Sequence, residues 1–141
     1  MKVKFKKLKE NAKLPTRGSE EAGAYDVYAT SIEFIGRDTF SYGLGFAVEI
    51  PKGYRLMIVP RSSFTKTNYL MQNTPAIIDS DFRGEISLRF RALNDMRVPP
   101  YAVGDRIAQC YLEKVIDIDF EEVSELNDSE RGVGGYGSTG K

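Results

Sequence analysis

Histidine is absent from the 141 residues, and cysteine occurs once, as Cys110. Without histidine there is no histidine-based triad, no zinc site built on imidazole and no imidazole proton shuttle. Acid–base chemistry must then come mainly from Asp, Glu, Lys, Tyr or water. A lone cysteine cannot close an intramolecular disulfide, and a reducing cytoplasm is the natural setting. Long apolar runs are missing too: the longest are a few residues, such as Leu56-Met57-Ile58-Val59. No segment is long enough to cross a bilayer, and no apolar h-region follows the basic N-terminus. Net charge is lacking as well, since 20 Lys and Arg balance 20 Asp and Glu. That balance argues against general nucleic-acid binding.

What is present is an apolar content of 41%, enough for a core in a chain the size of one domain. The charges are unevenly placed. Lys2, Lys4, Lys6, Lys7 and Lys9 crowd the start, and an acidic run extends from Asp117 to Glu130. The lysines read either as a polyanion-binding arm or as a surface strand with Val3 and Phe5 inward; the second is the simpler account. The patterning is mostly strand. Lys2–Leu8 alternates, Tyr25–Thr30 is rich in β-formers, and Leu44–Val59 reads as a hairpin about Pro51-Lys52-Gly53. Glu85–Ala92 alternates with Ile86, Leu88 and Phe90 on one side, and Arg106–Val115 and Ile116–Val123 complete the set. No twelve-residue stretch has a helical period, although Ser62–Asn68 could make one turn. Many short strands with frequent turns imply an all-β sandwich, jelly roll or barrel.

Five segments carry chemistry. The glycine-rich end Arg131–Gly140 offers exposed backbone N–H groups, the Arg131 fork, the hydroxyls of Ser138 and Thr139, and the Tyr136 ring for stacking on a base. It reads equally as a solvent-exposed tail. Ala76–Glu85 sets Asp79 at the end of a strand, where a carboxylate can orient and deprotonate a water; acidic turn residues are the plainer account. Pro60-Arg61-Ser62-Ser63 ends a strand with a cation and two hydroxyls suited to phosphate. Gly104–Gln109 and Ala22–Val27 are turns leading into strands, with Gln109 and Asp26 as polar candidates.

In chain order the five segments resemble the five motifs of the trimeric dUTPase family: AGAYDVYA, PRSS, NTPAIIDSDFRGEI, GDRIAQ and RGVGGYGSTG. The resemblance runs from about Ala22 to the C-terminus. It implies an all-β jelly-roll subunit, residues 1–130, and a flexible tail, residues 131–141, that closes over a neighbour's site in a homotrimer. It implies hydrolysis of dUTP to dUMP and pyrophosphate. The resemblance casts Asp79 as the carboxylate that activates water and contacts the sugar, and Arg131 as the cation on the terminal phosphates. Ser62, Ser63 and Gln109 fall at phosphate contacts. Arg61 and Asp26 fall in the supporting polar network. Asn73, Ala76 and Ile78 lie on the hairpin that reads uracil, largely through backbone groups. Phe82 packs under the sugar, and Tyr136, with Gly137, Ser138 and Thr139, closes over the nucleotide. Mg²⁺ is implied as the cofactor, held by substrate phosphates and water with no direct protein ligand. Stable nucleic-acid binding and membrane attachment are not expected.

The chain departs from the family pattern in places. Phe82 stands where tyrosine is usual, Ala76 where glycine is common, and Tyr136 where phenylalanine is commoner. The span from Arg61 to Asn73 is a residue shorter than in many relatives. A dCTP deaminase shares the fold but needs a glutamate where this chain has Arg89, and a cation cannot serve as its proton shuttle. A nucleotide-responsive regulatory protein, or an added regulatory partner, is the reading from another class.

Overall fold

A computed structural model describes residues 1–94, 98–135 and 138. Among these residues eleven strands make three antiparallel sheets, with one short 3₁₀ turn. β1 (Lys4–Lys7) pairs with β6 (Phe46–Glu49) alone. A four-stranded sheet runs in the order β4 (Ser31–Gly36), β5 (Thr39–Gly43), β10 (Ser87–Ala92), β8 (Tyr69–Met71). A five-stranded sheet runs β2 (Thr16–Arg17), β3 (Tyr25–Tyr28), β11 (Arg106–Lys114), β7 (Tyr54–Val59), β9 (Ala76–Ile78). The all-β class expected from the strand spacing, and the jelly roll implied by the resemblance, agree with the class observed.

The alternation of β10 shows why. Ile86, Leu88 and Phe90 are buried, whereas Ser87, Arg89 and Arg91 face out. Antiparallel sheets with one solvated face produce this two-residue period. Phe90 packs edge-on against Tyr42, Tyr101 and Phe64, with ring centroids 5.3, 5.5 and 5.6 Å away. Truncating a ring so enclosed costs about 3–5 kcal/mol. Phe64 belongs to the 3₁₀ turn Ser62–Lys66, so its burial against Phe90 pins that turn to the core and leaves Ser62 and Ser63 exposed.

Two expectations change. Leu44–Val59 is not a hairpin: β6 pairs with β1 while β7 pairs with β11 and β9. The Pro51-Lys52-Gly53 turn does form, closed by Tyr54 N–H to Pro51 O at 3.1 Å, but it carries the chain from one sheet to another. Ile116–Val123 is not a strand either. After β11 the chain is exposed, with Ile116, Ile118 and Phe120 in solvent, because among the described residues no strand lies beside it. The sequence pattern also passed over the β4–β5 hairpin, which turns through Gly36, Arg37 and Asp38, all at positive φ. Left-handed Arg and Asp are uncommon enough that the local sequence gives little warning.

Candidate active site

Register brings the first cluster together. Gln109 on β11 lies beside Asp26 on β3 and beside Val59 at the end of β7. The chain then runs through Pro60 to Arg61, so three sequence-distant segments converge at one end of the five-stranded sheet. Asp26 is buried, and each of its oxygens meets a guanidinium. Arg61 Nε–H donates to Oδ1 at 2.8 Å, and Arg106 Nη1–H donates to Oδ2 at 3.2 Å. Arg61 Nη1–H also reaches Arg106 O at 3.4 Å. The Gln109 amide donates to Pro60 O at 3.1 Å, and among the described residues its carbonyl oxygen has no hydrogen-bond partner. Beside them, the 3₁₀ turn presents the hydroxyls of Ser62 and Ser63 to solvent. Cations, hydroxyls and an amide on a fixed frame suit an anion with several oxygens.

The second cluster lies elsewhere. Ile78 of β9 pairs with Leu56 of β7, so Asp79 follows at the level of Arg55. Arg61 is six residues further along β7 and its continuation, about 20 Å at the rise of a strand. Within one chain, Asp79 and the Arg61–Gln109 cluster are therefore at opposite ends of β7. Asp79 is exposed and opens a tight turn in which Phe82 N–H donates to Asp79 O at 3.2 Å. Arg83 stitches that turn through Nη1–H to Ser80 O at 2.7 Å and to Phe82 O at 2.9 Å. The Phe82 ring lies over Gly84, where a Cβ would sit 2.6 Å from its Cζ.

β9 and β10 are consecutive strands, but they do not form a ladder with each other. β9 pairs with β7, and β10 pairs with β5 and β8. The splayed pair opens a cavity of about 240 Å³ lined by Ile77, Ile78, Asp79, Phe82, Glu85 and Ser87, among others. Asn73 spans from the preceding loop to β10: its Nδ2–H donates to Ser87 O at 3.0 Å, and Arg89 N–H donates to its Oδ1 at 2.9 Å. Ala76 is buried on β9. Glu85 and Ser87 were not singled out by the sequence reading, although both stand in or next to the NTPAIIDSDFRGEI segment. Nothing local marks them, because their place at the cavity is set by the splay of the two strands.

The third group is the C-terminal tail. Arg131 is exposed, and its Nε–H donates to Gly134 O at 3.0 Å, curling the tail on itself. Ser138 N–H donates to Gly135 O at 3.0 Å, and Ser138 is likewise exposed. Tyr136, Gly137 and Thr139 lie outside the described residues. The structure thus unites Asp26, Arg61, Ser62, Ser63 and Gln109 in one place. It unites Asp79, Phe82 and Ile78 in a second, with Asn73 bound to its edge.

A family model described as dUTPase matches residues 10–140. The deoxyuridine 5′-triphosphate nucleotidohydrolase of Nautilia profundicola is 38% identical over 143 residues, covering all of both chains. That of Yarrowia lipolytica is 37% identical over 147 residues, covering 99% of this chain and 90% of the relative. Among solved structures, a mutant dUTPase of Staphylococcus bacteriophage 80alpha with dUpNHpp superimposes with a TM-score of 0.82 at 20% identity, covering 99% of each chain. A mutant dUTPase of phage phi11 of S. aureus, described for its coordination of a structural Mg(II) ion, gives 0.73 at 18% identity, covering 89% of this chain and 98% of that one. With the family model spanning almost the whole chain and full-length relatives well above a third identical, the chain belongs to the dUTPase family, the enzymes that hydrolyse dUTP.

Proposed function

We propose that the chain cleaves dUTP to dUMP and pyrophosphate by attack of an Asp79-activated water on the α-phosphate, in a homotrimer whose three sites form between subunits. The observation that carries this reading is the separation along β7. A nucleoside and its α-phosphate are adjacent in one small molecule, yet Asp79 and the phosphate-suited cluster of the same chain are about 20 Å of strand apart. One substrate meets both only if they come from different subunits. Closed cyclic assembly supplies such sites in equivalent copies.

The exposed arm that follows β11, residues 116–123, supports the same assembly. Among the described residues β1 has one edge without a partner, and the segment that runs into it alternates Lys2-Val3-Lys4-Phe5-Lys6. Val3 and Phe5 line an apolar cavity of about 260 Å³ with Leu14, Tyr25, Leu56 and Leu112. The arm alternates in the opposite sense of charge, Ile116-Asp117-Ile118-Asp119-Phe120-Glu121. A second copy's arm laid along β1 sets carboxylates against lysines and apolar side chains against the cavity. We divide the chain accordingly into a β domain, residues 1–130, and a tail, residues 131–141, which closes over the nucleotide bound at a neighbour.

In this site Asp79 orients the water and takes its proton, while Phe82 packs against the sugar. Main-chain groups of the splayed pair meet uracil. Ser62, Ser63 and Gln109 hold phosphate oxygens, Arg61 is kept in place by Asp26, and Arg131 neutralises the terminal phosphates. Positioning and charge neutralisation are what water attack on a triphosphate requires. Asp26 already gives one oxygen to each of two arginines, a donor set that fits Mg²⁺ carried by phosphate oxygens and water. Bound there, Mg²⁺ supplies further neutralisation of the triphosphate. In metabolism the reaction keeps uracil out of DNA and provides dUMP for dTMP synthesis. We place it in the cytoplasm, in line with the single, buried, unpaired Cys110. Among the described residues, no helix is long and apolar enough to cross a membrane. The phage 80alpha relatives are described as controlling transfer of virulence genes; at this identity the likeness carries the fold alone, so no regulatory partner is assigned.

A pyrophosphate-release assay with dUTP and dCTP tests the reading. Release from dUTP is expected, with dCTP disfavoured by about 10⁴ through unpaired polar groups in the pocket. Comparable turnover of dCTP, or ammonia released from it, contradicts the reading.

A further inference from the structure

Gly45, between β5 and β6, is held from two sides. Its carbonyl accepts Leu8 N–H at 2.8 Å and Lys9 N–H at 3.1 Å. Its own N–H donates to Glu85 Oε1 at 2.9 Å. The Lys9 ammonium stands 2.9 Å from that same oxygen and donates to Ser31 Oγ at 2.8 Å. The group is stacked on Gly43. A Cβ there would lie 2.5 Å from Glu85 Oε1, 2.6 Å from Ser31 Oγ and 3.0 Å from Lys9 Nζ. The Lys9 and Glu85 side chains are 37% and 32% exposed, and ion pairs so open to water add little to stability. Stability alone therefore does not account for a cluster with a glycine beneath it to make room.

Its location gives it a use. Glu85 lines the cavity that also holds Asp79, Phe82 and Ser87. It follows Gly84, on which the Phe82 ring lies, and precedes Ile86, whose N–H and C=O are tied to Phe46 and Leu44. The turn from Asp79 to Gly84 is thus anchored at its far end by Glu85. A carboxylate at the wall of a site for an anion must also be directed away from it or neutralised.

We propose that Glu85, held by Lys9 and the Gly45 N–H, is a positioning residue for the nucleoside pocket. It fixes the turn that aims Phe82 and Asp79, and Lys9 turns its charge away from the substrate. The N-terminal segment thereby governs a pocket some seventy residues away in sequence. This rests on reading that cavity as the nucleoside site.

The test measures KM and kcat for dUTP together with Kd for dUpNHpp in the full-length protein. Glu85→Ala is expected to raise KM and Kd about 10-fold with a smaller loss of kcat, the cost of a misplaced binding wall. Glu85→Gln keeps the acceptor for Gly45 and stays within about 3-fold of wild type. Lys9→Met leaves the carboxylate uncompensated and weakens binding, whereas Lys9→Met/Glu85→Gln recovers to the level of Glu85→Gln, a non-additive cycle. Gly43→Ala displaces the cluster and resembles Glu85→Ala. Wild-type KM and Kd in Glu85→Ala, even with a lowered Tm, overturn the proposal, as does strict additivity in the cycle. A wild-type protein that binds dUpNHpp but does not hydrolyse dUTP counts against the catalytic reading and leaves the Kd comparison decisive for Glu85. Failure of the wild type to bind the nucleotide overturns both.

Discussion

Arg61 Nε lies 2.8 Å from Asp26 Oδ1, and this contact joins the end of β7 to the middle of β3 across β11. The Asp26 side chain is only 11% exposed and that of Arg61 24%. A bond so enclosed holds a guanidinium in one orientation in a way that an exposed pair does not. Asp26→Ala leaves Arg61 and Arg106 with no shared counter-charge and should destabilise the fold by on the order of 3 kcal/mol. The denaturation midpoint should fall, and KM for dUTP should rise as Arg61 loses its orientation. An unchanged midpoint would mean that the arginines find other partners.

Asp79 is exposed, and among the described residues its hydrogen bond runs through its backbone carbonyl, at the head of the Asp79–Phe82 turn. Asp79→Asn should therefore fold normally and bind dUpNHpp as well as wild type. Its kcat should drop at least ~100-fold, the usual cost of losing a general base. Single-turnover kinetics separate the two effects, and near-normal turnover would remove Asp79 from its role.

The proposed assembly of each site from several chains is tested by complementation. Trimers made only of Asp79→Asn or only of Arg131→Ala subunits should be nearly inactive, as should a chain lacking residues 131–141. Refolded together in equal amounts, about three quarters of closed threefold rings contain both mutants, and roughly one quarter of wild-type activity should return. Mixed rings verified by mass that recover nothing would show that Asp79 and Arg131 serve a site from one chain.

Burial lifts the Cys110 thiol from 9.0 to about 12, with the nearby Asp26 carboxylate adding to the effect, and burial raises the Tyr42 hydroxyl from 10.0 to about 12. Below pH 8 both groups are neutral whether the chain is folded or not, and their contribution is complete. Above about pH 9 the unfolded chain releases these protons while the folded one keeps them, so stability declines until the pH reaches the folded values. The loss between pH 8 and 10 should be about 1–2 kcal/mol. Urea melts at the two pH values check it. Cys110→Ala should lose most of this decrement, and a decrement equal to wild type would assign the alkaline sensitivity elsewhere.

The sequence disclosed elements whose partners lie on both sides in a simple rhythm. The alternation of residues 85–92 foretold β10, and the apolar run before Pro60 foretold β7. It misjudged elements whose identity depends on a neighbour. Phe46–Glu49 and Tyr54–Val59 flank a perfectly good turn, yet whether they pair with each other is decided by β1 and β11, far off in sequence. Ile116–Val123 has the period of a strand and no companion among the described residues. The site divides in the same way. Asp79 and Arg61 were legible as chemistry, but that Asp26, Gln109 and Arg61 meet is a matter of register. Glu85 escaped because its meaning resides in Lys9 and Gly45.

The clamp made by Asn73 has an evolutionary corollary. Both ends of its amide are committed to β10, so it contributes to the splayed β9–β10 groove as scaffolding. On the proposed reading, uracil is then read by peptide groups, and no codon change deletes a peptide N–H other than one to proline. Side chains along the groove can drift without erasing the choice of base. Acquiring a new base would instead require the path of the backbone to change, a step that lies beyond ordinary point substitution.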